Sequence, residues 1–435
     1  MAEKIIYPRV VRPVPDPLGL YFRVGRASQK DLSNLIAVGD AACFGVVFDP
    51  TLLKPHQELR DQVLNQRLDA ILDPRTQPSA TPGGYNATLG VLPWGVGRPH
   101  IPSDFTNTAG RRLIAALGDF ILEKGFTQVL APTHILRSAH DPWLAIDIEA
   151  TGWLRNHLDR NGGSHIPIIY SLALPYAVLR DSDQRLEVIE AVRGVPAIAV
   201  WLKVDGFGSD STATGVRNYI EAAKDFNDLG IPVVADHVGG MVGLSLLAFG
   251  AAGGLVHGVA QNERFHAGHW RKPRSSDGFG VHLRVYIPQL DLLLKPSEAH
   301  MLFSAPARTR IQFICRDTDC CPRGVIDTLD NPARHFLYQR IKQVSGLAQI
   351  PEQLRTGRFL EQHLRPATDA VLAAANFQWE DETFMRKMRD QRKRLDMLRV
   401  ALGNLEQKMP VRPVAVLPQT RAARDARPYG NGRAP

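Results

Sequence analysis

Short apolar runs and longer amphipathic runs alternate between residues 18 and 260. Eight of the short runs are rich in β-branched or aromatic residues, as is typical of buried parallel strands. These predicted strands cover residues 19–24, 44–48, 69–72, 127–131, 166–172, 197–204, 231–235 and 254–259. The runs between them have helical periodicity, over residues 28–42, 52–68, 108–125, 143–160, 183–193, 214–229 and 243–252. This alternation predicts an α/β fold, a (β/α)8 TIM-like barrel. A doubly wound open sheet is disfavoured because no GxGxxG sequence follows the first predicted strand.

The sequence after the predicted barrel suggests three further units. We expect the barrel to occupy residues 1–280, followed at 281–380 by a small, mainly helical region that contains three cysteines. Residues 381–409 then predict a long amphipathic helix, with two series of mostly apolar residues that each repeat every seven positions. These series are Met388, Leu395, Leu402 and Met409, and Phe384, Gln391, Leu398 and Leu405. Such a seam fits a helix packed on its own domain, and it also fits self-association or a protein partner.

One charge-free stretch, residues 238–256, is long enough to span a bilayer. It contains six glycines and lies between two predicted strand segments, so we expect a buried barrel helix and strand rather than a membrane span. The N-terminal residues lack the apolar core of a secretory signal. The sequence therefore predicts a cytoplasmic protein without a membrane segment.

Composition narrows the class of protein further. Of 435 residues, 44% are hydrophobic and four are cysteine, which excludes a wholly disordered chain and a disulfide scaffold. Lys and Arg number 52 against 44 Asp and Glu, and residues 410–435 hold five arginines and one aspartate. Half of the net charge of +8 therefore lies in this proline- and glycine-rich tail. We expect the tail to be disordered, either merely solvated or a tether to nucleic acid.

In the predicted fold, chemistry sits at the carboxyl ends of the strands. Four carboxylates occupy such positions and are the catalytic candidates: Asp49, Asp73, Asp205 and Asp236. Their convergence would suit a carboxylate nucleophile with a second carboxylate as base, or a metal cluster. Further candidates for substrate binding lie at or near the strand ends: Arg23, Gln77, His134, Tyr170 and His257.

The segment after the last predicted strand is basic and aromatic. It contains Glu263, Trp270, Arg271 and Lys272. Barrels often bind phosphate here, and the backbone N–H groups of Gly239 and Gly240 could approach an anion at the start of a helix. This pattern favours a phosphate-bearing or nucleotide ligand, with a solvated basic loop as the alternative.

Three of the four cysteines cluster in the region after the barrel. Cys315, Cys320 and Cys321 are followed by His335. Thiolate and imidazole are the ligands that Zn²⁺ prefers, and four of them close a tetrahedral structural site. The spacing is unlike a CxxC pair, so free thiols in a turn are an equal alternative to zinc.

The order of these features, a barrel followed by three cysteines and a histidine, resembles the tRNA-guanine transglycosylases and their relatives that insert 7-deazaguanines into DNA. The segment Asp73-Pro-Arg-Thr-Gln77 is similar to the DSGGFQ turn of that family. The resemblance implies a zinc subdomain, tRNA or DNA as partner, and base exchange in which a carboxylate attacks the sugar C1′. The last predicted strand has no carboxylate, so Asp236, one strand earlier, would take the place of the nucleophile.

Two other functions fit the same residues. One is a barrel enzyme for a small phosphorylated or carboxylated metabolite, with or without a metal held by the strand-end residues. The other is a non-catalytic scaffold that docks into a multiprotein assembly through residues 381–409.

Overall fold

Eight parallel strands close into a barrel in the computed structural model, which describes residues 18–25, 28–39, 43–271 and 284–408. Strand β1 pairs with both β2 and β8, and the β1–β8 register runs from Gly19 opposite Gly254 to Arg23 opposite Gly258. The strands are β1 (Gly19–Arg23), β2 (Gly45–Phe48), β3 (Asp69–Leu72), β4 (Gln128–Leu130), β5 (Ile168–Pro175), β6 (Ala199–Asp205), β7 (Val233–Asp236) and β8 (Gly254–Gly258). The barrel prediction is confirmed, and each strand overlaps its predicted run.

The barrel interior is a separate hydrophobic core, distinct from the larger core between the strands and the helices. Its members come from all eight strands: Tyr21, Val47, Ile71, Leu130, Ile169, Ala199, Trp201, Val234 and Val256. Because strand side chains alternate between faces, the residue two positions after each of these points to the same side. Along β1, β3 and β7 that next residue is Arg23, Asp73 and Asp236. A polar layer therefore follows the apolar one at the carboxyl ends of the strands, which we call the mouth.

Helices surround the barrel as the amphipathic runs predicted. The longer ones are α1 (Gln29–Ala37), α2 (Gln57–Asn65), α5 (Asn107–Lys124), α6 (Pro142–Arg160), α8 (Ser182–Val192), α9 (Ala213–Phe226) and α10 (Gly240–Ala248). Shorter ones are α3 (Thr76–Ser79), α4 (Ala87–Gly90), α7 (Tyr176–Arg180) and α11 (Gly268–Arg271). Local signals set the ends: the Asp141 side chain accepts the Trp143 N–H before α6, and Gly125 ends α5 with a φ of +66°.

The charge-free stretch 238–256 folds into α10 and β8, as predicted. Every residue of α10 is buried, because helices from the C-terminal region cover the side that a barrel helix normally exposes. Among the described residues, no helix combines the length and the apolar character needed to cross a membrane.

The segment between β3 and α5 is long but has structure of its own. It contains α3, α4 and a 3₁₀ turn at Pro102–Phe105. Trp94 anchors it: its indole is 1% exposed, donates to the Pro74 carbonyl at 2.8 Å and meets Phe120 edge-on. This segment therefore packs as a fixed cover on one side of the barrel.

The C-terminal region packs directly on the barrel. It contains β9 (Val285–Ile287) and β10 (Leu292–Leu294), which pair antiparallel, and then α12 (Pro296–Ser304), α13 (Ala307–Arg310), α14 (Val325–Asp330), α15 (Pro332–Ala348), α16 (Glu352–Phe359), a π-helical turn (Leu360–Leu364), α17 (Arg365–Asn376) and α18 (Glu382–Lys408). Helix α15 contacts α1 and α10, and α16 contacts α10.

The seven-residue seam is buried within the chain. Helix α18 packs on α9 and α17, and all described members of the two series are buried. Of the two interpretations of the seven-residue seam, packing of the helix on its own chain is therefore confirmed. Met409, the tail 410–435 and Lys272 lie outside the described residues.

Candidate functional site

Arg23 is the centre of a charged cluster at the mouth. Its Nε and Nη2 donate to the two carboxylate oxygens of Asp236 at 3.0 and 2.6 Å. Its Nη1 donates to Asp73 Oδ2 at 2.6 Å. The Arg23 and Asp73 side chains are 12% and 13% exposed, whereas Asp236 is fully buried. One guanidinium thus joins β1 to β3 and β7, strands that are not its immediate neighbours.

Lys203 on β6 adds a second cation to this cluster. Its Nζ donates to Gln77 Oε1 at 2.7 Å and lies 3.5 Å from Asp236 Oδ2. Gln77 is held in turn by three acceptors, because its Nε2 lies within 3.1–3.2 Å of the Ser171 hydroxyl and carbonyl and the Thr133 hydroxyl. The amide oxygen of Gln77 therefore points at Lys203.

Two further residues of the cluster, in the turns after β3 and β7, have a left-handed backbone conformation. Arg75 and His237 have φ values of +59° and +62°, a conformation that is uncommon for residues other than glycine. The Arg75 N–H donates to Asp73 Oδ1 at 2.8 Å, and its guanidinium lies 3.2 Å from Asp49 Oδ2. His237 Nδ1 lies 2.8 Å from Asp236 Oδ1. The strained turns after β3 and β7 therefore place the Arg75 N–H on Asp73 and the His237 imidazole on Asp236.

The cluster keeps both aspartates ionised. Burial would raise their pKa values, but at Asp236 the charges of Arg23 and Lys203 and the hydrogen bond from His237 outweigh burial and hold its pKa well below its usual range. At Asp73 burial is likewise outweighed, by Arg23 first, and the pKa falls to about 2. Burial lowers the pKa of His237 to about 4. At neutral pH His237 is therefore neutral and its Nδ1–H donates to Asp236.

Lys203 differs from these groups because its pKa lies near neutrality. Burial lowers it to about 8, partly opposed by the carboxylate of Asp236. The mouth thus combines ionised carboxylates, a permanent cation in Arg23 and one amine able to change its protonation state near neutral pH. This set suits nucleophilic and acid–base chemistry on a substrate bound over the mouth.

Asp205 and the segment after β8 hold each other. Asp205 Oδ1 accepts the Ala267 N–H at 2.7 Å, and Oδ2 accepts from the exposed Arg271 at 3.1 Å. Trp270 packs edge-on against Phe265, and its carbonyl accepts the Gly83 N–H. The predicted catalytic residue Asp205 thus anchors a loop, and Asp49 likewise caps the turn after β2 by accepting from Thr51.

The predicted anion site at the start of α10 is filled by the protein itself. The Met241 N–H donates to Asp291 Oδ1 at 2.9 Å, and Gly240 donates to Glu263. A Cβ at Gly239 would meet Glu263 Oε1 at 2.0 Å, so that carboxylate lies directly on the backbone. Two internal carboxylates therefore take the position that Gly239 and Gly240 are predicted to offer to a ligand phosphate.

Three predicted substrate-binding residues point away from the mouth. Tyr170 and His257 lie between inward-facing neighbours, so their side chains enter the core between barrel and helices. His257 contacts Phe336 of α15. His134 stacks on Trp143 and its Nδ1 lies 2.7 Å from the buried Asp147. These placements correct the prediction. Side-chain alternation turns Tyr170 and His257 outward, and His134 lies beyond the end of β4, in the connection to α6.

The four predicted metal ligands converge. All are buried, and one ligand atom from each of Cys315, Cys320, Cys321 and His335 lies within 4.8 Å of the others. Cys320 Sγ and Cys321 Sγ are 3.6 Å apart, and His335 Nδ1 lies 3.3–3.4 Å from both. Tetrahedral bonds of about 2.3 Å to sulfur and about 2.0–2.1 Å to nitrogen require separations of about 3.8 and 3.6 Å. His335 Nε2 meets the Tyr286 carbonyl at 3.1 Å, which turns Nδ1 toward the thiols. The cluster could therefore hold a metal ion.

Only part of the mouth could be predicted from the sequence. Arg23, Asp73, Gln77 and Asp236 were predicted and meet, whereas Lys203 was missed. The signal for Lys203 was present, because it stands two residues after the inward-facing Trp201.

Comparisons with known proteins find only distant structural likenesses, which assign neither a family nor an activity. No family model matches the chain, and no curated protein matches it. Among solved structures, a GH26 beta-mannanase from Bacteroides ovatus is 13% identical, with 60% of this chain and 85% of that chain covered and a TM-score of 0.36. A 3-dehydroquinate dehydratase from Enterococcus faecalis is 10% identical over 57% and 90%, with a TM-score of 0.33. The carboxyl transferase domain of Rhizobium etli pyruvate carboxylase is 10% identical over 92% and 63%, with a TM-score of 0.36.

Proposed function

We propose that this protein is a barrel enzyme that exchanges a guanine base in tRNA or DNA, by a transglycosylase-like reaction with Asp236 as nucleophile. The observation that carries the proposal is a mouth with two ionised aspartates, Asp73 and Asp236, in a barrel that is followed directly by a convergent Cys₃His cluster. Neither the pair of aspartates nor the Cys₃His cluster is specific to this reaction by itself. The family that the sequence resembles is expected to have both.

The chemistry begins with an ionised carboxylate. Asp236 attacks the sugar C1′, the glycosidic bond breaks, and the base leaves; an incoming base then displaces the carboxylate. Because Asp236 has no exposed surface under Arg23, the substrate reaches it only when the Arg23 guanidinium shifts. Asp73 remains to pair with Arg23 during that shift, and its unmatched lone pairs can accept from the base.

The Cys₃His cluster fits zinc as a structural ion. Cys315, Cys320, Cys321 and His335 would hold it, and four protein ligands leave no open position for a substrate. When bound, the ion would fasten the loop before α14 to α15. The catalytic steps at the mouth would then depend on this chain's side chains.

A phosphorylated metabolite is supported less well as the substrate. The start of α10, where such a barrel would bind phosphate, is taken by Glu263 and Asp291. The scaffold hypothesis is also supported less well. The seven-residue seam of α18 would be its docking surface, and the described residues of that seam are buried against α9 and α17.

Exchange of labelled guanine into tRNA and into duplex DNA by the full-length protein tests the proposal. We expect exchange with the wild type and none with Asp236→Asn, which keeps Arg23 paired with Asp73. Asp210→Asn is the matched control: this exposed carboxylate pairs with Arg264 near the mouth, and its loss should leave exchange unchanged. No exchange by the wild type on either nucleic acid, or full exchange by folded Asp236→Asn, would contradict the proposal.

A further inference from the structure

Lys203 is a buried amine that the mechanism above does not use. Its side chain is 3% exposed and faces the same side of β6 as Trp201, which lines the barrel interior. Its Nζ lies 3.5 Å from Asp236 Oδ2, and 5.4 Å from the centre of the Phe265 ring. The amine of Lys203 therefore lies beside the carboxylate that would attack the sugar.

We propose that Lys203 is a catalytic residue that carries the proton of base exchange: its ammonium protonates the departing guanine and its amine deprotonates the incoming base. This inference rests on the proposed function. In the first step the C1′–O bond to Asp236 forms, the C1′–N bond breaks, and the electron pair on the base takes a proton from Nζ. In the second step the incoming base gives its N–H proton to Nζ, its nitrogen bonds to C1′, and the C1′–O bond breaks. Lys203 ends as it began, and no other reagent is consumed.

The other groups of the mouth are poorly suited to this role. Asp73 and Asp236 stay ionised, His237 stays neutral and Arg23 stays charged near neutral pH. An efficient proton carrier has a pKa near the working pH, and burial brings that of Lys203 to about 8. The charged and titratable groups that face it come from four parts of the mouth: Arg23 on β1, Asp73 and Arg75 after β3, Asp236 at the end of β7, and His237 after it.

Gln77 supports the assignment by geometry. Its amide donates on one side to Ser171 and Thr133, so its oxygen is fixed as an acceptor for Nζ. The amine is thereby held beside the nucleophile in either protonation state.

Single-turnover exchange measured against pH tests the role. The wild type should show a limb that titrates with the Lys203 amine, Lys203→Met should lose roughly 10²–10⁴-fold in rate, and added small primary amines should restore part of it. Lys203→Arg should stay slow, since a guanidinium does not give up its proton. Lys54→Met, which removes an exposed lysine from the turn after β2, should change nothing. Wild-type rate and profile in Lys203→Met or Lys203→Arg would overturn the assignment.

A second measurement does not depend on activity. Reductive methylation of the full-length wild type with ¹³C-formaldehyde, followed by NMR titration, should give a Lys203 resonance that titrates near pH 8. A Lys203 resonance with an ordinary lysine titration would overturn the role. Absence of exchange by the wild type would instead remove the proposed function, whatever the Lys203 titration shows.

Discussion

Replacing Arg340 should show how much its ion pair, which holds the C-terminal region to the barrel, contributes to the free energy of unfolding. Arg340 on α15 is 2% exposed at its side chain, and its Nε and Nη2 donate to Glu263 Oε1 at 3.0 and 2.8 Å. Its Nη1 donates to the Tyr286 hydroxyl and to Gln343. Glu263 in turn receives the N–H of Gly240 at the start of α10. The Arg340 guanidinium thus compensates the negative charge of Glu263, a buried carboxylate that accepts a hydrogen bond at the start of α10.

The expected magnitude follows from that burial. Breaking a buried ion pair by removing one partner costs about 3–5 kcal/mol, because the remaining charge is left unpaired. Arg340→Met should therefore lower the free energy of unfolding by that amount at neutral pH. Glu263→Gln combined with Arg340→Met should recover at least half of the loss, since no unpaired charge remains and the amide oxygen still accepts from Gly240.

The loss should also depend on pH. Burial already raises the pKa of Glu263, and without Arg340 it rises further. The folded variant then holds a proton that the unfolded chain has released, so its deficit against the wild type is small below about pH 4 and grows as pH rises.

Urea unfolding followed by circular dichroism at several pH values measures these differences. Arg365→Met is the control: its pair with Glu361 is exposed, 59% and 64%, and should be worth less than about 1 kcal/mol. The reasoning would be refuted if Arg340→Met cost no more than this control, or if the double variant were as unstable as the single one.

Three further predictions concern stability and metal content. Cys320→Ser should reduce bound zinc from about one ion per chain to none by elemental analysis of the untagged protein; undiminished zinc would place the ion elsewhere. Trp94→Ala should cost about 3–5 kcal/mol in urea unfolding, since the indole is fully buried and hydrogen-bonded; a cost below 1 kcal/mol would show that the cover over the barrel is loosely packed. Burial lowers the pKa of His257 to about 3, so the unfolded chain binds a proton that the folded one does not, and stability falls as pH drops below about 6.5. Between pH 5.5 and 4.5 His257→Phe should lose stability less steeply than the wild type, by about 1.4 kcal/mol per pH unit, and equal slopes would contradict this sign.

The strands could be predicted because parallel barrel strands are buried on both faces and form short apolar runs. The same property hid the orientation of their side chains. Tyr170 and His257 sit next to inward-facing residues and were read as mouth residues, although alternation turns them outward. Lys203 stands inside a predicted strand, and its place at the mouth becomes evident only once Trp201, two residues earlier, is known to face inward.

The partners of buried charges could not be predicted at all. Glu263 and Asp291 find Arg340 and Arg394 on helices that follow more than 70 residues later in the chain. Local sequence holds no trace of such pairs, so the start of α10 looked like an open anion site. The Cys₃His convergence was predictable only as far as its residue types, because the fold decides whether adjacent cysteines share one centre.

The apolar helix α10 has a consequence for how the chain is made. It is complete at Ala248, but α15 and α16, which cover it, are finished only after synthesis has reached Phe359, about 110 residues later. At roughly 5–20 residues per second, the nascent barrel therefore exposes a largely apolar helix for about 5–20 s. Glu263 and Asp291 are likewise synthesised well before Arg340 and Arg394, the arginines that pair with them. The outer surface of the barrel is thus covered only when the C-terminal helices have been synthesised. The ribosome-bound chain is therefore the form in which chaperone binding to α10 is most to be expected.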